Sequence, residues 1–313
     1  MAQPSETFDT YDSIGEREDL SDVIYNISPT DTPFLSSAAK TQATAVLHEW
    51  QTDSLAAAVT NNAVIEGDEA TADAVTATTR LSNSSQILDK VVTITGTQEA
   101  VDKAGRASEI AYQIAKKAKE LKRDLESSLC SNNAEVTGSA SAARQLGGLG
   151  SWVATNDVFG GSGASGGLGN TARTNGTQRA FTEAQLKSVI KSVWNAGGNP
   201  QIIMVGPFNK QKLSGFTGNS TRFDAGADAT LYTSVDVYAS DFGQTQVIPN
   251  RFSRDRDGWV LDMDYWGVAF LRDFSMHELA KTGDTEKRQL LVECTLESRN
   301  EAASGLIADL TTS

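Results

Sequence analysis

The stretch Ala107–Cys130 constrains this chain most. Ile110, Ile114, Ala118, Leu121, Leu125 and Leu129 recur at spacings of four, four, three, four and four. At about 100° per residue they share an arc of roughly 100°, one face of one helix. Lys116, Lys119, Arg123 and Glu126 fall on the other side, with Lys116–Glu120 and Lys122–Glu126 as i,i+4 pairs. Neither Gly nor Pro interrupts the run, so a rise of about 1.5 Å per residue makes it roughly 36 Å long. A single-faced helix of that length needs a long partner surface, most simply a sheet. Its basic run (Lys116, Lys117, Lys119, Lys122, Arg123) is interleaved with Glu120, Asp124 and Glu126, the pattern of a solvated face.

At 313 residues the chain is near the size at which single cores stop growing, so two subdomains are expected. A formal charge of −13 argues against a dedicated nucleic-acid-binding protein, though not against one that encloses nucleic acid without gripping it. No run of eighteen apolar residues is present, so no membrane span is expected. Met1–Asp12 is polar and acidic, without the basic and apolar regions of a secretory signal. Cys130 and Cys294 carry no pairing signature, which fits a reducing cytoplasm.

Along the chain, residues 1–20 read as an acidic arm, and Leu20, Val23, Ile24 and Ile27 then take helical spacing up to Pro29. Asp31-Thr32-Pro33 reads as a turn and Val46–Trp50 as a strand. Gln51–Asp89 offers little for a core and gathers its acids at Glu66, Asp68, Glu69 and Asp73. Because thirty-odd weakly structured residues are uncommon inside a compact domain, this stretch is either disordered or an extended hairpin held by another chain, and the hairpin is the favoured expectation. Thr76–Thr79 and Ile87–Thr95 have the β-forming composition for it. Asn132–Arg179 is a second soft region, with glycine pairs at 147–148, 160–161 and 166–167. Thr182 caps a helix carrying Leu186, Val189, Ile190 and Val193, and Gly197-Gly198 stops it. Gln201–Val205, Val235–Tyr238, Gln246–Ile248 and Trp259–Asp262 read as strands, with Asp257-Gly258 as a hairpin turn. Trp266–Met276 and Gln289–Ser298 are longer strands around a charged turn. The expected class is α+β.

Catalytic chemistry finds little support. Gly161–Gly166 satisfies G-x-G-x-x-G and Gly163–Gly167 satisfies G-x-S-x-G, but neither joins a strand to a helix as those motifs require. A hydrolase would have to use Ser165 with His48 or His277, the only histidines. Neither histidine has metal-ligand spacing. Asp255, Asp257, Asp262 and Asp264 fail the calcium-loop pattern and read better as acidic flanks of a hairpin. No cofactor, metal or catalytic residue is expected.

Taken together, the segments resemble the major capsid protein of a tailed bacteriophage, of the HK97-type fold. The resemblance covers nearly the whole chain. It rests on REDLSDVIYNISPTDTPFL at 17–35, VDKAGRASEIAYQIAKKAKELKRDLE at 101–126 and TEAQLKSVIKSVWNAGG at 182–198. IMVGPFNKQKLSGFTG at 203–218, SDFG at 240–243, VIPNRF at 247–252 and ELAKTGDTEKRQLLVECTLESRNEAASGLIADL at 278–310 complete the set.

The resemblance implies an N-terminal arm (residues 1–45), an extended β-hairpin loop with flanking strands (46–95) and a peripheral domain (96–145 and 264–313) built on the spine helix. A Gly-rich connecting region (146–181) and an axial domain (182–263) would complete it; the Gly-rich residues 137–180 read by themselves as an insertion on the surface. The function implied is a structural subunit forming pentameric and hexameric capsomers of an icosahedral shell around double-stranded DNA. It would act in the virion after assembly in the host bacterial cytoplasm. A separate scaffolding protein, a portal and decoration proteins are the implied partners. An encapsulin-like compartment is the alternative within the fold. Candidate inter-subunit contacts pair the acidic tip (Glu66, Asp68, Glu69, Asp73) with Lys281, Lys287 and Arg288 of a neighbour. Gln51–Asp89 contains no lysine, so a covalent lysine–asparagine cross-link from the loop is not expected.

Overall fold

The computed structural model describes residues 31–70, 72–216 and 236–313. The expected acidic arm and the helix before Pro29 lie outside the described residues. Pro33 does not end in a plain turn but opens helix α1 (Pro33–Ser37) at its first position, where its missing N–H is not needed. β1 (Ala39–Gln42), β2 (Leu47–Thr52), β3 (Thr79–Ser84), β4 (Gln86–Thr95) and the short α2 (Gly96–Ala100) follow.

The spine is α3 (Glu109–Leu129). Ser108 caps it by accepting the Ala111 N–H at 3.3 Å, with Glu109 in the first turn to suit the helix dipole. Its long partner surface is a four-stranded sheet of order β1-β10-β11-β4, formed with β10 (Trp266–Leu279) and β11 (Thr285–Ser298). β1 runs parallel to β10, and the other two pairings are antiparallel. Strand β4 alternates, sending Leu88, Val92 and Ile94 inward and leaving Ile87 and Val91 exposed. Helix α3 lies on β4 and β11. Only its second half reaches the core: Leu121, Leu125 and Leu129 are buried, whereas Ile110, Ile114 and Ala118 are half-covered. Each buried leucine contributes about 1.5–3 kcal/mol.

The second half of the chain builds a six-stranded sheet of order β5-β12-β9-β6-β8-β7. Its members are β5 (Asp157–Val158), β6 (Ile202–Val205), β7 (Val237–Ser240), β8 (Gly243–Pro249), β9 (Gly258–Leu261) and β12 (Gly305–Ile307). Helix α5 (Glu183–Asn195) carries the capping box of Thr182 and Gln185 and buries Leu186, Val189, Ile190 and Val193. Gly197 follows it with φ +91°, a conformation that favours glycine. Helix α6 (Pro207–Ser214) starts at Pro207. Residues after Arg299 join this sheet through β12 rather than continuing with β11.

Two further sequence expectations fail here. Asp257-Gly258 is not a hairpin turn, because β6 lies between β8 and β9. Asp257 is instead fully buried, 2.6 Å from the guanidinium of Arg173, itself buried. The Gly-rich stretch is no surface insertion: α4 (Leu149–Trp152) is wholly buried and Trp152 sits in the main core. Its glycines permit close packing. A Cβ on Gly147 would lie 2.8 Å from the Gly169 carbonyl oxygen, and one on Gly166 would lie 2.6 Å from that of Ser151. Glycine content, read from sequence as softness, here serves backbone-to-backbone approach.

Candidate functional site

The loop between β2 and β3 is the longest exposed stretch among the described residues. β2 and β3 form their own two-stranded sheet, with Leu47 opposite Ser84 and Thr52 opposite Thr79. Beyond Thr52 the ladder stops. Every described residue from Asp53 to Thr78 is exposed, including Leu55 at 99%, Val64 at 83% and Ile65 at 78%. Thr76–Thr78 therefore do not form the expected strand. The hairpin's second arm is β3, while Ile87–Thr95 belongs to the four-stranded sheet.

The chain changes sheets at Ser84-Ser85 because buried polar side chains pin it there. Asn83 accepts the Gly147 N–H at 2.8 Å and donates to the carbonyls of Leu296 at 2.8 Å and Gly147 at 3.1 Å. Ser85 donates to Glu293 at 3.0 Å. Trp50 donates from Nε1 to the Ser298 carbonyl at 2.7 Å, and its ring lies 5.4 Å from that of Trp152. His48 Nε2 lies 3.5 Å from the Glu297 carboxylate. His48 first, then the guanidinium of Arg299 and the hydroxyl of Thr41, hold the Glu297 carboxyl down at about 2 against the opposing effect of burial. An unpaired loop thus projects from a rigid root.

The acidic residues Glu66, Asp68, Glu69 and Asp73 all stand exposed on that loop. Gly67 (φ +84°) makes the turn between them, with the Asp68 N–H bonded to the Ile65 carbonyl at 3.1 Å. The basic candidates lie elsewhere, around the β10–β11 turn. Lys281 is exposed in the turn, and Lys287 and Arg288 are on β11. Among the described residues the two sets form no ion pair with each other. Arg288 instead pairs with Glu286 at 2.6 Å and Glu278 at 3.1 Å, and Glu286 chiefly raises its pKa. Lys287 donates to the Thr282 hydroxyl.

Two buried polar centres escaped the sequence reading. Glu126, assigned to the solvated face of α3, is fully buried. Its carboxylate accepts the N–H groups of Phe34 and Leu35, both at 2.8 Å, and the Asn250 amide at 2.7 Å. Burial raises its pKa, and those three donors oppose the rise. The expected Lys122–Glu126 pair therefore does not form, and Lys117 makes the ion pair with Glu120 at 2.7 Å. The only sequence signal was Glu126's place about 60° beyond the apolar arc, beside Leu129. The second centre is Arg173, which reaches Asp257 at 2.6 Å and Asp309 at 3.3 Å, while Arg256 reaches Asp309 at 2.7 Å. It ties the Gly-rich stretch to the β8–β9 connection and the C-terminal segment.

The G-x-S-x-G serine is committed to this packing too. Ser165 lies beside Asp157, whose pKa is raised by burial, with the nearness of Ser165 opposing the rise. His277 bonds Ser275 at 3.1 Å and His48 faces Glu297, so neither is placed as a base for Ser165. Among the described residues, no cluster of His, Cys, Asp and Glu is arranged to hold a metal ion. Cys130 and Cys294 are both buried free thiols.

Comparison with known proteins agrees with this architecture. The family model for the SU10 major capsid protein matches residues 3–311. The major capsid protein of Escherichia phage Phieco32 is 30% identical, over 98% of this chain and 97% of its own length. Among solved structures, the capsid asymmetric unit of cyanophage A-1(L) has a TM-score of 0.65 at 13% identity, covering 97% of this chain and 98% of that one. The capsid of a native GTA particle has a TM-score of 0.62 at 12% identity, covering 96% and 97%. These structures share the HK97-like fold. The chain belongs to the SU10 major capsid protein family and is a structural subunit of a phage capsid shell, not an enzyme.

Proposed function

We propose that the subunit forms pentameric and hexameric capsomers of an icosahedral shell, held together in part by the loop 53–78 lying on a neighbouring copy. The exposed loop on its rigid root carries this reading. Twenty-six residues separate Thr52 from Thr79, and thirteen in each direction reach about 43 Å at roughly 3.3 Å per residue. A two-stranded hairpin is marginal alone, and burying it against another copy would supply part of the large area that obligate interfaces use. In this reading α3 with the four-stranded sheet is the peripheral domain, and the six-stranded sheet with α5 and α6 is the axial domain.

The shell would enclose double-stranded DNA by confinement. A net charge of −13 disfavours tight, sequence-specific binding to phosphates and suits a container that must release its contents. A scaffolding protein, a portal and decoration proteins are the proposed partners, with assembly in the host bacterial cytoplasm. The test is size-exclusion chromatography with light scattering and negative-stain imaging of chain co-expressed with scaffold. The full chain should give capsomers or closed megadalton shells. A variant with 53–78 replaced by a short turn should stay folded yet elute as small species. Normal shells from that variant would overturn the clasp.

A further inference from the structure

In the expected receptor for the acidic tip, Arg288 is already paired with Glu278 and Glu286, Lys287 is bonded to Thr282, and Lys281 stands exposed. A different surface combines open cations with open apolar area. A groove of about 600 Å³ lies where β1 ends beside β10, within the size range of pockets that bury a ligand-sized group. β1 stops pairing with β10 at Phe270, so among the described residues the same side of β10 beyond that point has no strand partner. Leu35, Phe270 and Phe274 give the groove its apolar lining, and Phe274 is 39% exposed, with its ring 6.2 Å from that of Phe270. Lys40 and Lys122 rim it, both exposed and without an ion pair among the described residues. The opposing charge at the rim, Asp273, accepts the Phe274 backbone N–H at 2.7 Å.

The loop tip has the complementary chemistry. Val64 and Ile65 are among the most exposed apolar residues, and the turn at Gly67 sets them beside Glu66, Asp68 and Glu69. We propose that this groove receives the Val64–Glu69 tip of a neighbouring copy, seating Val64 and Ile65 against Leu35, Phe270 and Phe274 and bringing the tip carboxylates to Lys40 and Lys122. This rests on the proposal that the loop clasps a neighbour, and it names the receptor. Apolar contact would supply most of the affinity, because exposed ion pairs contribute little; the lysines would set register and discriminate partners. The groove also faces the root of the spine, since Lys122 lies on α3 one turn before Glu126. Docking would therefore bear on the contact that holds α1 to α3.

The test uses wild-type shells assembled from mixed light and heavy-isotope subunits and treated with a carbodiimide. This reagent joins an amine to a carboxylate only when they are in direct contact. Mass spectrometry should find light–heavy peptides joining Lys40 or Lys122 to Glu66, Asp68 or Glu69. Coupling of those acids to Lys281 or Lys287 would overturn the proposal in favour of the turn. Coupling of Lys40 and Lys122 to acids of residues 1–30, or no coupling of them at all, would overturn it as well. In parallel, Lys40→Glu with Lys122→Glu should lower shell yield at least tenfold, and adding Glu66→Lys, Asp68→Lys and Glu69→Lys should restore it. Failure of these arms while deletion of 53–78 still abolishes shells would reject the groove and leave the clasp standing.

Discussion

A single buried carboxylate, that of Glu126, connects three parts of the chain. It receives the start of α1 through two backbone N–H groups and the end of β8 through Asn250. Glu126→Ala leaves the buried N–H groups of Phe34 and Leu35 without an acceptor, at about 1–3 kcal/mol each, while the Asn250 amide keeps its contacts to Met204 and Cys130. Unassembled subunit should lose roughly 2–6 kcal/mol in urea denaturation. Glu126→Gln should lose less, because one oxygen acceptor remains while its amide faces an N–H. Glu297 gives the residue-scale pH dependence. Its folded pKa of about 2 lies below the ordinary carboxyl value, so its stabilising contribution is complete above about pH 4.5 and disappears as pH falls through about 2. Glu297→Gln should flatten that acid limb in a fluorescence titration, with Trp50 at the loop root as reporter. An unchanged limb would assign acid sensitivity to other carboxylates.

At the scale of elements, α3 is two structures in one helix. Its second half is core and its first half is a partly covered strut over β4. Leu125→Ala should cost about 2–5 kcal/mol by leaving a cavity in the main cluster, whereas Ile114→Ala should cost less than half as much. Thermal denaturation of the two variants checks the ratio, and equal losses would mean the first half is as tightly packed as the second. The apolar spacing made the helix, its register and its start near Ser108 legible, since one face of period 3.6 can be satisfied in only one way. The division of burial along it was not legible. That division depends on which strand lies beneath each turn, and β4 is distant in sequence from β10 and β11. The same distance hid the true arms of the hairpin: β-forming composition marked Ile87–Thr95, within β4, and Thr76–Thr79, which meets β3 only at Thr79, whereas side chains of Asn83 and Ser85 decide which strand leaves for which sheet.

For the whole molecule, the proposed clasp makes one subunit an incomplete structure. On that proposal the apolar side chains of the loop leave water only at assembly, so shell formation should be accompanied by loss of protease sensitivity between Asp53 and Thr78. Because that loop contains no lysine, mature particles boiled in denaturant should run as a single band near 33 kDa. A ladder of larger bands would reveal a covalent link formed by other residues. The candidate contacts divide in the same way. The acids were legible as a cluster because they are adjacent in sequence. The groove was not, because Lys40, Lys122 and Phe274 lie on three different elements.

By itself, the sequence determined the two longest helices and most strands, through apolar period, capping residues and helix stops, and it determined that residues 53–78 could not build a core. These are local properties, set by side chains within a turn or two of one another. Only the tertiary structure decided that the Gly-rich stretch is packed interior, that Glu126 and Arg173 are buried ionic anchors, and that the last residues cross to the six-stranded sheet. Burial is a property of what lies opposite a residue. A glycine that looks like slack and a glutamate that looks solvated become packing and anchorage once strands far apart in sequence close over them.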